Sequence, residues 1–161
     1  MSDLRIVLIT RRFWPFADEV ARTLARLATG LQRRGAKVTV LTCRAAADWS
    51  ERVDYQGTRV FRLPHPHREH WRTLRYLLAL GRWLRQHHEE IDVACVSQLR
   101  SDACAVLRTF RQTRVPVVLR AEAAGTNGDC KWQQRARCGG RIRRRCWTAE
   151  AIVAPDAAVA G

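Results

Sequence analysis

The stretch from Arg5 to Thr42 constrains the fold of this chain more than any other. Arg5–Thr10 is nearly all branched and apolar, which is typical of a strand covered on both faces. A helix is predicted from the N-cap residue Asp18 to Gly35, with apolar residues at helical spacing on one face, and Lys37–Thr42 is the next strand. This βαβ unit predicts a parallel sheet whose ligand chemistry lies at the carboxyl ends of its strands.

The alternation of strand and helix continues along the chain. Four further strands are predicted, at Thr58–Leu63, Asp92–Ser97, Val115–Ala121 and Glu150–Pro155. Helices are predicted over about 69–86 and 102–112, and over the basic segment 131–145 with an interruption at Gly139-Gly140. The first of these is expected to face inward with Trp71, Leu74, Leu78 and Leu84. The predicted fold is α/β: a Rossmann-like parallel sheet of about six strands with helices on both faces, in one domain spanning residues 1–161.

Length and cysteine usage favour a cytoplasmic protein. No apolar run approaches the roughly 20 residues that span a bilayer, and the first residues do not resemble a signal peptide. The six cysteines include no C-x-x-C pair, so reduced thiols are expected rather than a disulfide framework. The final residues resemble the first turn of a helix without a completed apolar face, and the domain is therefore expected to be truncated at its C-terminal end.

The charge balance is strongly basic, with 29 Lys and Arg against 15 Asp and Glu. From Lys131 to Arg145 there is no acidic residue. This segment is predicted to contact anionic lipid headgroups or a phosphorylated acceptor, at the inner face of the membrane in the first case. A solvated helix face is the alternative. The candidate contacts are Arg141, Arg143, Arg144 and Arg145.

Four segments carry a resemblance to a known family. RIVLITRRFWPF, LARLATGLQRRGAKVTVLT, VPVVLRAE and AEAIVAPDAAVAG, in that order, resemble the N-terminal domain of retaining glycosyltransferases of the GT-B fold, of the group 1 or family 4 type. The resemblance covers almost the whole chain. It implies transfer of a sugar from a nucleotide-sugar donor to a glycan or lipid-linked acceptor, in a cleft between two Rossmann-like domains of which the N-terminal one holds the acceptor.

The same resemblance implies what lies outside this chain. The nucleotide-sugar donor would bind a C-terminal domain, so no cofactor is expected here. A separate C-terminal half is the expected partner, and the isolated chain is expected to be catalytically incomplete. Asp18-Glu19 stands where the family carries a Gly-Gly pair close to the donor diphosphate, and two carboxylates there would repel phosphate. An ordinary helix N-terminus enriched in acidic residues is the alternative.

Glu122 is the candidate catalytic residue. It follows the strand at 115–121, near the position where many relatives have a histidine beside the reacting sugar. A carboxylate there can accept hydrogen bonds from acceptor hydroxyls or assist their deprotonation. Arg120 and Asn127, from the same strand end and loop, are the candidate acceptor-binding neighbours. The alternative is a structural ion pair between Arg120 and Glu122.

The loop after the first strand supplies the remaining acceptor-binding candidates. Arg11 and Arg12 can meet a phosphate or a sugar, and Trp14 offers a flat face on which a sugar ring can lie. The alternative is that Phe13 and Trp14 plug the loop onto the core, and exposure decides between the two.

Other sites and functions are less favoured by the sequence. His65, His67 and His70 lack an accompanying pattern of metal ligands, so no metal site is predicted. A non-enzymatic domain that binds RNA or anionic lipid ranks second, because only Trp132 and Trp147 accompany the arginine cluster as stacking residues. A degenerate half that acts as a scaffold or regulatory subunit is the third possibility.

Overall fold

The computed structural model describes residues 4–64, 69–123 and 128–154, with the backbone alone for 69–72. The strands are β1 (Arg5–Ile9), β2 (Lys37–Cys43), β3 (Arg52–Tyr55), β4 (Thr58–Leu63), β5 (Val93–Ser97), β6 (Val117–Arg120) and β7 (Ala151–Val153). The helices are α1 (Glu19–Arg33), α2 (Glu69–His87), α3 (Ser101–Thr109), α4 (Asp129–Arg135) and α5 (Gly139–Cys146). Short 3-10 turns follow α2 at His88–Glu90 and α3 at Phe110–Gln112.

One sheet contains all seven of these strands, in the order β3-β4-β2-β1-β5-β6-β7. Every neighbouring pair is parallel except β3 and β4, which are antiparallel. The apolar face of α1 packs on one side of the sheet, and α2, α3 and α5 bury their apolar residues in a larger core on the other. The predicted α/β fold, a parallel sheet with helices on both faces, is confirmed, and the antiparallel pairing of β3 with β4 is an addition to it.

The sheet has one strand more than the sequence predicted. β3 and β4 form a hairpin whose turn places Gln56 at φ +52° and Gly57 at φ +77°. Arg52–Tyr55 carries exposed polar residues at alternate positions, and it forms a strand because it pairs along β4 at the sheet edge. Pairing of this kind is decided by the neighbouring strand, and the local pattern alone did not reveal it.

The first helix follows its predicted boundaries. The Asp18 carboxylate accepts a hydrogen bond from the Ala21 amide at 2.9 Å and caps α1. Gly35, at φ +87°, follows the end of the helix and turns the chain into β2. Both positions use the residue types that such helix ends favour.

The inward face of α2 differs from the prediction. Leu84 is buried as predicted, but Leu74 and Leu78 are 47% and 62% exposed. The helix instead buries Tyr76, Leu80 and Leu84, which recur every four residues. The side chain of Trp71 lies outside the described residues. The apolar content of α2 allowed two alternative faces, and packing against the sheet and α3 selected one of them.

The basic segment is helical with an interruption, as predicted, but the break falls at residues 136–138 and Gly139 begins α5. A Cβ on Gly139 would lie 1.6 Å from the Gln133 carbonyl oxygen, so only glycine allows α5 to approach α4 this closely. Among the helices of the described ranges, none is long and apolar enough to cross a membrane.

Candidate functional site

The carboxyl ends of the parallel strands place most of the predicted site residues at one edge of the sheet. Arg11, Arg12 and Trp14 lie in the loop that follows β1, and Arg120 and Glu122 lie at the end of β6. Asn127 falls outside the described residues. Because loops at this edge carry the ligand sites of open parallel sheets, the geometry of each residue there bears directly on function.

Glu122 lies in a buried hydrogen-bonded cluster, with its side chain 5% exposed. Arg120 Nη1 donates to both carboxylate oxygens, at 2.7 Å to Oε1 and 2.8 Å to Oε2. The hydroxyl of Ser97, the last residue of β5, donates to Oε1 at 2.7 Å. The ion pair between Arg120 and Glu122 is therefore formed. Among the described residues Oε2 accepts from Arg120 alone, which leaves it capacity for another hydrogen bond.

A second carboxylate supports this cluster from α4. Asp129 is buried, and its Oδ2 accepts the backbone N–H of Glu122 at 3.2 Å while Oδ1 accepts Arg100 Nε at 3.1 Å. Sequence reasoning missed Ser97, Arg100 and Asp129 as members of the site. The available signal was the position of Ser97 and Arg100 at the carboxyl end of β5, which neighbours β6.

Burial sets the protonation behaviour of the groups in this cluster. Burial raises the pKa of Glu122, and the nearby Asp129 charge acts in the same direction, while Ser97 and Arg120 oppose the shift only in part. Burial also raises the pKa of the neighbouring Cys95 thiol to about 11. Cys95 is therefore a protonated thiol at neutral pH and a poor nucleophile.

Arg11 holds the loop after β1 to the start of α3. Its Nε donates to Asp102 Oδ1 and Oδ2 at 2.9 and 3.0 Å, and Nη2 donates to Asp102 Oδ1 at 2.6 Å and to the Ser101 hydroxyl at 3.1 Å. The guanidinium also lies 5.2 Å from the ring centroid of the buried Tyr76. Asp102 is buried, so this pair joins two elements in the interior of the edge.

Arg12 remains largely exposed beside the start of α1. Its Nε lies 2.8 Å from Asp18 Oδ2, and its guanidinium lies 5.0 Å from the Phe16 ring centroid. Asp18 thus caps the helix and binds Arg12, and Glu19 is the first helical residue. Asp18 and Glu19 therefore form an acidic helix N-terminus, which was the alternative interpretation of these two residues.

Phe13 and Trp14 have different environments although they are adjacent. Phe13 is buried and packs edge-on against Tyr55. Trp14 is 42% exposed; its ring centroid lies 5.6 Å from that of Tyr55 and 5.4 Å from the guanidinium of Arg62. Phe13 therefore plugs the loop onto the core, and Trp14 presents part of its indole to solvent.

Arg62 contacts both the backbone and the ring of Trp14, and it was not anticipated from the sequence. Arg62 is 6% exposed. Its Nη2 donates to the Trp14 carbonyl at 3.3 Å, and its Nη1 donates to the Ser50 carbonyl at 3.2 Å. The guanidinium also lies against the ring of Trp49. Within the described ranges no carboxylate lies within 4 Å of it. Burial lowers its pKa. A cation at a buried position of a strand is the signal that could have identified it.

The two candidate groups at this edge are well separated. Trp14 contacts side chains of β3 and β4, whereas Glu122 follows β6. Four strand-to-strand steps separate β4 from β6, which corresponds to about 19 Å. A ligand that contacts both groups would have to extend across several strands of this edge.

The predicted basic surface lies on α5. Arg141, Arg143 and Arg144 are exposed and Arg145 is half-buried, while Ile142 and Cys146 anchor the helix in the core. Trp147, directly after the helix, is 74% exposed. In the part of the chain that the structure describes, no group of three His, Cys, Asp or Glu side chains is placed to hold a metal ion. The side chains of His65, His67 and His70 lie outside that part.

Comparisons with known proteins agree on the fold. The family described as "Glycosyl transferase 4-like domain" matches residues 19–160. Sucrose-phosphate synthase from Thermosynechococcus elongatus is similar with a TM-score of 0.62 and 15% identity over 88% of this chain. MurG from Acinetobacter baumannii is similar with a TM-score of 0.57 and 13% identity over 94% of this chain. No curated protein matches.

These similarities cover only part of the solved proteins. This chain spans 38% of the sucrose-phosphate synthase chain and 41% of the MurG chain. A second structure of sucrose-phosphate synthase from the same organism, of which this chain spans 77%, gives a TM-score of 0.67 at 11% identity over 95% of this chain. At such identities the likeness concerns the fold alone.

Proposed function

This chain belongs to the glycosyl transferase 4-like domain family and has the fold of one Rossmann-like half of a GT-B glycosyltransferase, and we propose that it is the acceptor-binding half of a retaining enzyme. A second Rossmann-like domain would bind the nucleotide sugar. The observation that supports the proposal most strongly is the match of the family across residues 19–160, on a sheet whose carboxyl edge presents a partly exposed tryptophan.

Trp14 is the proposed platform for a sugar ring of the acceptor. Its indole is partly exposed, and Arg62 and Tyr55 fix its position before any ligand binds. A platform held in one conformation loses little entropy on binding, which favours affinity. Arg12, exposed in the same loop, is the proposed hydrogen-bond donor to the hydroxyl groups of that sugar.

Glu122 is the proposed acceptor of the proton from the reacting hydroxyl, with Arg120 and Asn127 as its acceptor-binding neighbours. A raised pKa makes the carboxylate a stronger base than an exposed glutamate, and within the described ranges Oε2 accepts a hydrogen bond from Arg120 alone. Trp14 packs against Arg62 of β4, and β4 lies about 19 Å from β6, which Glu122 follows; this separation favours an acceptor several sugar units long. Arg11 positions the loop through Asp102.

Binding of neutral oligosaccharides tests the proposal. We expect saturation-transfer NMR to detect binding of at least one member of a panel of glucose-, galactose- and mannose-containing tetrasaccharides. Trp14→Ala should remove the signal, because its ring supplies the contact surface. Leu78→Ala, an exposed apolar residue on α2, is the matched control and should retain the signal. Equal signals for both variants, or binding of no tetrasaccharide, would contradict the proposal.

A peripheral contact of α5 with an anionic membrane is proposed alongside this function. Arg141, Arg143 and Arg144 are exposed beside Trp147, and basic residues next to an exposed tryptophan suit an acidic lipid surface. Each arginine near such a surface contributes about 1 kcal/mol of attraction.

Sedimentation with vesicles tests this contact. The chain should bind phosphatidylglycerol vesicles and not phosphatidylcholine vesicles, and replacement of Arg141, Arg143, Arg144 and Arg145 by alanine should abolish the binding. If the same arginines instead retain single-stranded RNA, and RNA outcompetes the vesicles, the second-ranked RNA-binding function replaces the membrane contact.

A further inference from the structure

A groove runs along α1 on the side that faces the β3–β4 hairpin. It has a volume of about 420 Å³, and its lining includes Trp14, Tyr55, Arg22, Arg26 and Arg33. Small residues of α1, namely Ala21, Ala25, Thr29 and Gly30, leave room for it. The groove begins at the exposed tryptophan of the candidate site and extends away from the carboxyl edge along the helix.

Three arginines form one row in this groove. Arg22, Arg26 and Arg33 project within about 40° of one another around the helix axis, because each helical residue advances by about 100°. The first and last of them lie about 16 Å apart along the axis. All three are exposed, and none has a carboxylate within 4 Å among the residues that the structure describes.

The walls of the groove are fixed by contacts on both sides. Gln32 of α1 donates from Nε2 to the Gly57 carbonyl at 2.8 Å and accepts from the Thr58 hydroxyl at 3.1 Å, which holds the helix against the hairpin turn. At the other end, Trp14 packs on Tyr55 of the hairpin. The arginine row and the aromatic end are therefore held in a constant relation to each other.

We infer that this groove binds phosphate groups of a phosphorylated saccharide acceptor, with a sugar ring at Trp14 and its phosphates along Arg22, Arg26 and Arg33. Guanidinium groups form paired hydrogen bonds with phosphate oxygens, and an aromatic ring packs on the apolar face of a sugar. A row of arginines that has no carboxylate partner in the described part of the chain, and that ends at an aromatic residue, matches a ligand that carries both groups. The inference rests on the proposed function and adds to it the chemical class of the acceptor.

Calorimetric titration of the whole chain tests the inference, with glucose 1,6-bisphosphate, glucose and inorganic pyrophosphate as probes. The bisphosphate should bind at least about tenfold more tightly than glucose, since charge-assisted hydrogen bonds to phosphate contribute more than neutral ones. It should also bind more tightly than pyrophosphate, which carries no sugar ring.

Two triple variants with the same loss of charge separate a site from general attraction. Replacing Arg22, Arg26 and Arg33 by alanine should weaken bisphosphate binding at least about tenfold. Replacing the exposed α2 residues Arg75, Arg82 and Arg85 by alanine should change it by less than about twofold, because distant exposed charges are screened. Equal weakening by both triples, or pyrophosphate binding as tightly as the bisphosphate, would overturn the inference.

Failure of the inference is distinguishable from failure of the proposed function. If a neutral tetrasaccharide binds through Trp14 while the bisphosphate binds no better than glucose, the groove assignment is wrong and the acceptor-binding function stands. If the α1 triple variant loses binding to phosphatidylglycerol vesicles, the row recognises lipid headgroups and the saccharide assignment is overturned. Tighter binding of a single-stranded oligoribonucleotide in the same groove would also overturn it.

Discussion

Arginines near β5 and β6 and arginines near the β3–β4 hairpin, in opposite halves of the sheet, have opposite environments. On the side of β5 and β6, Arg120 pairs with Glu122, Arg100 pairs with Asp129, and each carboxylate is buried. On the side of the hairpin, the arginine row of α1 is exposed and has no carboxylate partner within the described residues. The paired side uses charge to hold elements together, and the open side leaves charge available to a ligand.

Arg62 is intermediate between these two environments. It is buried like the paired arginines, yet its hydrogen bonds go to two backbone carbonyls and its guanidinium lies against Trp14 and Trp49. Its position joins the first loop to the segment before β3. A formal net charge of +14 therefore does not describe one uniform surface, because individual arginines serve either the fold or the open groove.

The largest expected effect is on the paired side, at the junction of α4 and α5. Gly139→Ala should lower the free energy of unfolding by about 3 kcal/mol, because its Cβ would overlap the Gln133 backbone. Gly140→Ala is the adjacent control, since a Cβ there meets no atom of the described residues within 4 Å. Urea denaturation of both variants measures the difference, and equal stabilities would show that α4 and α5 pack less closely than described.

The next effect comes from breaking a buried pair. Asp102→Asn should lower the free energy of unfolding by about 2 kcal/mol, because the partly buried Arg11 loses its counter-charge. Asp92→Asn removes the partner of Arg5 in a solvent-exposed pair and should have much less effect. Thermal unfolding of both variants checks the contrast. A similar loss in both would mean that burial does not distinguish these pairs.

A smaller, stabilising effect is expected from a substitution in α1, on the open side. Gly30→Ala should raise the free energy of unfolding by about 0.5–1 kcal/mol, because alanine stabilises a helix interior. Among the described residues, the new Cβ meets only the flexible end of Arg34, at 4.0 Å. Urea denaturation measures it. Destabilisation instead would show that the groove at Gly30 is closed.

The smallest expected effect is a change in the free energy of unfolding with pH. Burial raises the folded-state pKa of Glu122 above its ordinary value of 4.5, so its contribution to stability is complete below pH 4.5 and decreases as the pH rises through the folded-state pKa. The free energy of unfolding of the wild type relative to Glu122→Gln should therefore fall as the pH is raised from 4 to 8.

Asp92 provides the comparison of opposite sign. The hydrogen bonds from Arg5 lower the folded-state pKa of Asp92 below its ordinary value of 3.8, so its contribution is present above that pH and is lost as the pH falls through the folded-state pKa. Unfolding of wild type, Glu122→Gln and Asp92→Asn from about pH 2 to pH 8 measures both slopes, because the loss at Asp92 lies below pH 3.8. Slopes of the same sign would contradict the assignment of burial as the cause at Glu122.

The sequence predicted most elements of the fold but fewer details of the edge. Apolar runs identified six of the seven strands, because a strand buried on both faces must be apolar at nearly every position. β3 was missed, since its strand state depends on pairing with β4. The inward face of α2 was half wrong, as Leu74 and Leu78 are exposed, because several apolar stripes on one helix can each be buried.

For the candidate site, too, the sequence indicated some of the residues and did not indicate others. Trp14 and Glu122 follow parallel strands and lie at the carboxyl edge of the sheet, and their functional roles stay predictions. Ser97, Asp129 and Arg62 were not anticipated, because each contributes through a neighbour that is distant in sequence. Such contacts depend on strand order and on burial, which are properties of the assembled sheet.

The sequence by itself determined the α/β class, the family resemblance and the edge on which function is sought, because periodicity, helix caps and strand runs are local properties of the chain. Only the tertiary structure decided which charges are available to a ligand. The sequence does not distinguish an arginine that binds Asp102 in the interior from one that lines the open groove of α1. The distance from each guanidinium to a carboxylate elsewhere in the fold decides whether its charge is available to a ligand.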